Sequence, residues 1–165
     1  MSEQRFEALV EQYSRQVLNT AYRVLGCSAT AQDVHQEVFL VIWRRWHKFN
    51  EQVNWPGYLY RTTVRKALQY SKEVKKTSAV NDFQENPAGR DKPDEALRTN
   101  ELQQKLAVSL SKLPARQAEV FVLSRLEGLS HAEIARMLDC SPETVRVHLH
   151  RAMKRLAQLM KDYLE

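Results

Sequence analysis

Apolar residues recur at helical spacing along almost the whole chain, and the places where that period breaks divide it into segments. Phe6, Leu9, Val10, Tyr13, Val17, Ala21, Tyr22 and Leu25 share one face, and Gly26 follows as a residue free to take the left-handed backbone that ends a helix. This predicts a helix over 5–25. Thr30 with Asp33 three residues on has the form of a capping box. It opens a segment in which Val34, Val38, Val41 and Ile42 make one stripe, widened by Phe39, Trp43 and Trp46. A helix apolar round so much of its circumference has to be mostly buried, so it is expected at the centre of an N-terminal bundle, with His35, Gln36 and Glu37 near an exposed start. From Phe49 to Pro56 the pattern stops at Asn50, Asn54 and Pro56. It resumes as a helix over Tyr58 to Tyr70 that carries Arg61, Arg65 and Lys66.

Between Ser71 and Lys92 there is no period and little that is apolar; Lys75, Lys76, Asn81, Asn86, Pro87 and Gly89 read as a flexible linker. Helical spacing returns at Asp94 with Leu97, Leu102, Leu106, Val108 and Leu110. It stops near Leu113 and Pro114, then restarts from Ala115 to Glu127 with Val120, Phe121 and Leu123 inward, and Gly128 closes it. No repeat and no alternating strand pattern occurs. The expected fold class is all-α: two small helical domains joined by a flexible linker, residues 1–71 and 94–165 about a linker at 72–93.

The most sharply punctuated stretch runs from Leu129 to Leu156. Ser130 and Glu133 form a capping box and Leu129 can staple onto Ile134, so a short helix starts at Ser130 and stops near Leu138. Ser141 then offers a second N-cap oxygen, with Pro142 at the first helical position, where its missing N–H costs nothing. In the second helix Val145, Leu149, Ala152 and Leu156 make a buried stripe, and Ala135 is small where the two helices cross. Glu143, Val147, His150 and Lys154 lie opposite, flanked by Arg146 and Arg151. Long cations on such a face can reach phosphates or guanine edges while Val147 and His150 meet the groove floor, which is how the second helix of a DNA-binding helix-turn-helix is built. His148 lies beside the buried stripe, as a boundary histidine.

Composition narrows the function further. The formal charge of +5 and pI near 9.3 favour a polyanionic partner. Trp55, Tyr58 and Tyr60 interleaved with cations are ingredients for gripping single-stranded nucleic acid, although core aromatics beside solvated cations would give the same pattern. The longest apolar run is far too short for a membrane span, and the charged start lacks a signal-peptide core, so the chain is expected in the cytoplasm with no membrane insertion. Cys27 and Cys140 are far apart without zinc spacing, so mostly buried, reduced thiols and no metal or cofactor are expected. No nucleophile and base are grouped and no glycine loop could cradle a phosphate, which speaks against an enzyme.

These residues resemble a family, the extracytoplasmic-function sigma factors of bacterial RNA polymerase. Ala31-Gln32-Asp33-Val34-His35-Gln36-Glu37-Val38-Phe39 is similar to the family's DLVQETF motif, and Trp55-Pro56-Gly57-Tyr58-Leu59-Tyr60-Arg61 to its FRAWLYR segment. Leu113 to Phe121, Gly128 to Ala135 and Thr144 to Arg151 resemble its second DNA-binding domain. The resemblance implies that the first domain docks on the β′ clamp helices of core polymerase through Asp33, Gln36 and Glu37. It implies that the loop from Phe49 to Trp55, with Asn54, Trp55, Tyr58, Arg61 and Arg65, holds the melted −10 strand. The second domain, which would meet the β flap, would read the −35 element as duplex with Glu143, Arg146, Val147, His150, Arg151 and Lys154. An anti-sigma partner is implied as well. Departures fall at Arg65, where many members have asparagine, and at Val147 and His148, which bear on promoter sequence and not on class. A two-component-type regulator can also carry a Thr-Val-Arg-Val-His-Leu run, but its first half would alternate strands and helices, and residues 1–70 show no strand pattern.

Overall fold

A computed structural model describes residues 2–77 and 93–164, and every regular element among them is helical. Helix α1 (Glu3–Leu25) starts earlier than its apolar period, because the Ser2 hydroxyl accepts the Arg5 N–H; it ends at Gly26, whose N–H donates to the Tyr22 carbonyl at 2.7 Å. Gly26 has φ 71°, a backbone angle that favours glycine, and a Cβ there would also displace the Gln103 side chain, whose Cδ would lie 2.6 Å away.

Helix α2 (Ser28–Arg44) begins at once after that turn, and this corrects the capping expectation. Thr30 is already inside the first turn, buried, and its Oγ1 donates back to the Cys27 carbonyl at 3.1 Å, while Cys27 takes the N-cap position without a side-chain bond. Ala31, Val34, Val38, Phe39 and Ile42 are buried in a core shared with Val17, Ala21 and Val24 of α1. The helix is less enclosed than its composition suggests. Leu40 and Trp43 keep 40% and 44% exposure, since α1 and α3 cover only part of its circumference. Trp46 is buried in a separate 3-10 turn, Trp46–Lys48, where its indole N–H donates to the Ser2 carbonyl at 3.1 Å.

Helix α3 (Trp55–Thr77) is longer than expected at both ends. Asn54 Oδ1 accepts from the Gly57 N–H and the Asn54 carbonyl from the Tyr58 N–H, so Asn54 caps the helix ahead of Tyr58. Residues 72–77, expected in the linker, are its last turns; 78–92 lie outside the described residues. Pro93 opens α4 (Pro93–Ser111), a position proline suits. After Pro114 comes α5 (Ala115–Phe121), which runs into a wider turn over Val122–Leu126 closed by the Glu127 N–H on the Val122 carbonyl at 2.9 Å.

Helices α6 (His131–Leu138) and α7 (Pro142–Leu159) follow, then a short α8 (Lys161–Leu164). Both halves of the Ser130–Glu133 capping box are formed, at 2.7 and 3.2 Å. Ser141 accepts the Thr144 N–H at 3.1 Å, and Val145, Leu149, Ala152 and Leu156 are all buried. One apolar cluster joins the N-terminal helices to Leu110, Leu113, Ala118, Val122, Ala152 and Leu156; a second, of Val120, Leu123, Ile134, Ala135, Leu138, Val145 and Leu149, fills the inside of the helix-turn-helix. Both thiols are free and half-buried, more accessible than expected. Burial opposes ionisation of Cys27, but the N–H groups of Ala29 and Thr30 and the Thr30 hydroxyl near the thiol at the helix start outweigh it and hold its pKa below the ordinary thiol value. None of the described helices is long and apolar enough to cross a membrane.

The Ser130 backbone N–H holds the Glu133 carboxyl below its usual range. A depressed folded pKa stabilises above the ordinary carboxylate range, and that contribution disappears as pH falls through the lowered value. Separately, Ser130→Ala removes the hydroxyl that accepts the Glu133 N–H and should destabilise by about 1 kcal/mol, the usual cost of losing an N-cap. Glu133→Gln should flatten the acid-side fall in Tm, read from thermal melts across pH; parallel curves for wild type and Glu133→Gln would contradict this.

Candidate nucleic-acid interface

The two caps aim α7. Asp139, with φ 54° and ψ 53°, takes the left-handed conformation that turns the chain after α6, and the Cys140 N–H donates to the Ala135 carbonyl at 3.0 Å. Aspartate tolerates that conformation better than most side chains. With the stripe of Val145, Leu149, Ala152 and Leu156 inward, Glu143, Arg146, Val147, His150, Arg151 and Lys154 all stand exposed on the far side, Val147 at 42%. Arg155, four residues beyond Arg151 and also exposed, extends the basic stripe; the same spacing along the sequence could have found it. Arg146 is held by Glu143 at 2.6 Å, a pair too exposed to contribute much stability but close enough to orient the guanidinium along the helix. His148 is half-buried at the edge, and its Nδ1 is enclosed without a hydrogen bond.

In the N-terminal unit the aromatic residues hold one another. Trp55 stacks on Trp46 at 5.7 Å and 29°, lies 5.0 Å from Phe49 and meets Tyr58 edge-on at 5.9 Å, while Phe49 meets Tyr58 at 5.2 Å. Trp55 and Tyr58 are thus half-buried members of an aromatic cluster. The outer side of Trp55 lines a shallow cleft of about 380 Å³ with Tyr13, Asn50 and Glu51. At its edge Arg5 pairs with Glu51 at 2.6 Å, and its hydrogen bond keeps the Glu51 carboxyl below the usual range. Asn54 is exposed and serves as a helix cap.

Three residues of α3 point elsewhere. The Arg65 guanidinium is hydrogen-bonded to the carboxylate of Glu119 on α5. Arg61 is half-buried, with Nε enclosed and without a partner. Tyr60 packs onto the core of the helix-turn-helix, where burial first and the Glu127 carboxylate second push its hydroxyl pKa up. Thus Trp55, Tyr58 and Asn54 lie together at one end of α3, whereas Arg61 and Arg65 lie along the side turned to the C-terminal unit.

On α2, Asp33 and Gln36 are exposed and Glu37 is half-buried, with Lys66 of α3 3.5 Å from Glu37. The pKa of Tyr70 is raised by burial and then by the nearby Asp33 carboxylate. His35 turns the other way, 2.6 Å from the Ser14 hydroxyl and edge-on to Phe39, and burial lowers its pKa. Leu40, and Trp43 that was read from sequence as core, continue the exposed stripe of Gln36 at four- and seven-residue spacing. That spacing from Gln36 was the available signal.

Comparison with known proteins gives the geometry a family. The descriptions "Sigma-70 region 2" and "Sigma-70, region 4" match residues 9–77 and 103–156. The chain is 30% identical to the ECF RNA polymerase sigma-E factor of Escherichia coli (strain K12), covering 89% of this chain and 82% of that protein. It is 25% identical to the ECF sigma factor SigW of Bacillus subtilis, covering 95% and 89%. With SigE of Mycolicibacterium smegmatis it shares 28% identity and spans 61% of that protein's length. The fold is similar to that of CnrH, solved with the cytosolic domain of CnrY (TM-score 0.56, 22% identity, 98% and 90% covered). It is also similar to RpoE of Bartonella quintana, solved with the anti-sigma factor NepR (TM-score 0.52, 20% identity, 95% and 97% covered). The chain belongs to the extracytoplasmic-function sigma factors, which are transcription-initiation factors and not enzymes.

Proposed function

We propose that this sigma factor directs bacterial core RNA polymerase to its promoters by reading a duplex −35 element with α7 and holding the melted −10 strand with the N-terminal unit. The observation that carries the reading is the doubly capped α6–α7 pair, with a basic face of Arg146, Val147, His150, Arg151 and Lys154 standing clear of the core. Asn54, Trp55 and Tyr58 at the start of α3, with Arg61 and Arg65 further along it, supply rings and cations for single-stranded DNA. Asp33, Gln36 and Glu37 are the docking edge for the β′ clamp helices, and the C-terminal unit meets the β flap. One protein of this fold was solved with an anti-sigma factor and another with the cytosolic domain of CnrY, and an anti-sigma partner is proposed here too. In vitro transcription with core polymerase over a genomic promoter library tests the function: no initiation above core polymerase alone would refute it.

The two arginines of α7 have separate tasks. Arg146 lies about one turn into the helix, where a guanidinium can fork onto guanine O6 and N7 and discriminate by about 1–3 kcal/mol. Arg151 lies further out, nearer the phosphates. Arg146→Ala is expected to flatten preference at one −35 base pair, and Arg151→Ala to weaken all sequences alike and lower the salt slope by about one. Binding measured over every single-base −35 variant at two salt concentrations checks both; the reverse pattern would overturn the assignment.

Replacing Gln36 and Glu37 together with alanine should weaken core-polymerase binding several-fold while Tm changes by only a few degrees, because neither side chain is in the core. A pull-down against wild type, beside a melting curve, makes the comparison; undiminished binding would remove these residues from the docking edge.

A further inference from the structure

An apolar side chain stands at the centre of the basic face of α7. Taking about 100° per residue, the direction opposite the buried stripe of Val145, Leu149, Ala152 and Leu156 passes within about 10° of Val147, closer than Glu143, His150 or Arg151. Lys154 lies as near that line but about 10 Å further along the helix. Val147 is 42% exposed, and the residues one turn away from it, Glu143, Thr144, His150 and Arg151, are exposed and polar. The Thr144 hydroxyl is bonded to that of Ser141 at 2.9 Å and the Arg146 guanidinium to Glu143 at 2.6 Å, so both polar groups are drawn toward the start of the helix and leave Val147 uncovered. A single exposed valine is tolerated without any partner; here its position gives it one. Valine in a helix is held almost to one rotamer, so its two methyls project at a fixed place and lose little freedom on contact. The fold gains nothing from it, because branching at Cβ lowers helix propensity and the core lies on the other side.

We propose that Val147 selects a thymine in the −35 element by closing its two methyls on the C5-methyl of that base in the floor of the major groove. This role rests on the −35 reading of α7 and adds to it the base that one residue selects. The thymine methyl is the only apolar group that base edges present in the major groove; the rest are hydrogen-bond donors and acceptors. A valine at the apex of the entering face displaces water from whatever base it meets. Against the N7 and exocyclic groups of a purine, or the amine of cytosine, it leaves a polar group unpaired, whereas against thymine it covers a methyl. Selection therefore comes from exclusion as well as from contact. A serine at this place would serve donor and acceptor edges alike, and valine serves neither.

Holoenzyme assembled from core polymerase and the full chain, with a promoter duplex obtained by the transcription assay above, tests this. Each thymine of the −35 element, on either strand, is replaced singly by deoxyuridine, which removes the methyl and leaves every hydrogen-bonding group in place. One replacement is expected to weaken wild-type binding about fourfold, the effect of burying one methyl group. Val147→Ala should be indifferent to the methyl at that position and bind both duplexes about as weakly as wild type binds the deoxyuridine one, so the two losses do not add. Val147→Thr, which keeps the shape and exchanges one methyl for a hydroxyl, should show a smaller methyl effect than wild type. Both variants are expected to fold, because Val147 lies outside both cores, and melting curves verify it. If no thymine methyl matters to wild type, or if its removal costs Val147→Ala as much, the assignment of Val147 is overturned while the −35 reading stands. A duplex with a scrambled −35 element judges the reading itself: if holoenzyme binds it as well as the promoter, α7 reads no sequence and the assignment falls with it.

Discussion

Helix α3 is packed from two sides, and most of the molecule's arrangement follows from that. Leu59, Val64, Ala67 and Leu68 are buried in the core that α1 and α2 share, while Tyr60, one residue from Leu59, is packed on the helix-turn-helix. Thr63, Ala67 and Ser71 recur every four residues and are all buried, so small side chains form a strip along which a neighbour can approach closely. The Ser71 hydroxyl returns its hydrogen bond to the Ala67 carbonyl at 3.2 Å, which lets a polar group be buried without an external partner. Among the described residues of α3 the exposed ones, Arg65, Gln69, Lys72 and Glu73, form one strip, and α5 reaches it through Glu119.

The helix-turn-helix was legible from local chemistry alone because its signals are short-range. A serine with a glutamate three residues on, a proline after a serine and an apolar stripe over four turns each act within a helix or at its end, and each formed as read. Failures arose where the deciding neighbour is distant in sequence. Thr30 and Asp33 match a capping box, yet Gly26 turns the chain early enough that Thr30 is inside the helix. Trp43 looked like core because composition cannot say which faces of α2 find a partner. Glu119 lies between Ala118 and Val120, and though Arg116 stands three residues away, the Arg65 that covers it from α3 is 54 residues away. Charged residues are outside by default, so such a pair is invisible until tertiary structure brings it together.

The same distinction applies to the candidate sites. Sequence spacing gathered the exposed face of α7 correctly, since a single helix sets all its angles. It could not divide the aromatic and basic residues of α3 into groups. Trp55 and Tyr58 belong to a cluster with Trp46 and Phe49 and reach a cleft from within it, which gives them fixed ring planes before any base arrives. Rings already immobilised lose little further side-chain entropy on stacking, about 0.5–1.5 kcal/mol less per side chain than free ones. Being part of the core and being available to a base are therefore compatible for Trp55.

The cations differ in this respect. A guanidinium facing a buried carboxylate and one facing a phosphate make the same kind of charge-assisted hydrogen bond, so exchanging one for the other changes little in direct energy. What decides the exchange is everything moved with it: Tyr60 leaving an apolar edge, Gln103 leaving the end of α1, and Glu119 and Glu127 returning to water. The first two oppose opening and the last favours it. The contact between the two units is thus held by an apolar edge and a capped helix end as much as by its ion pairs.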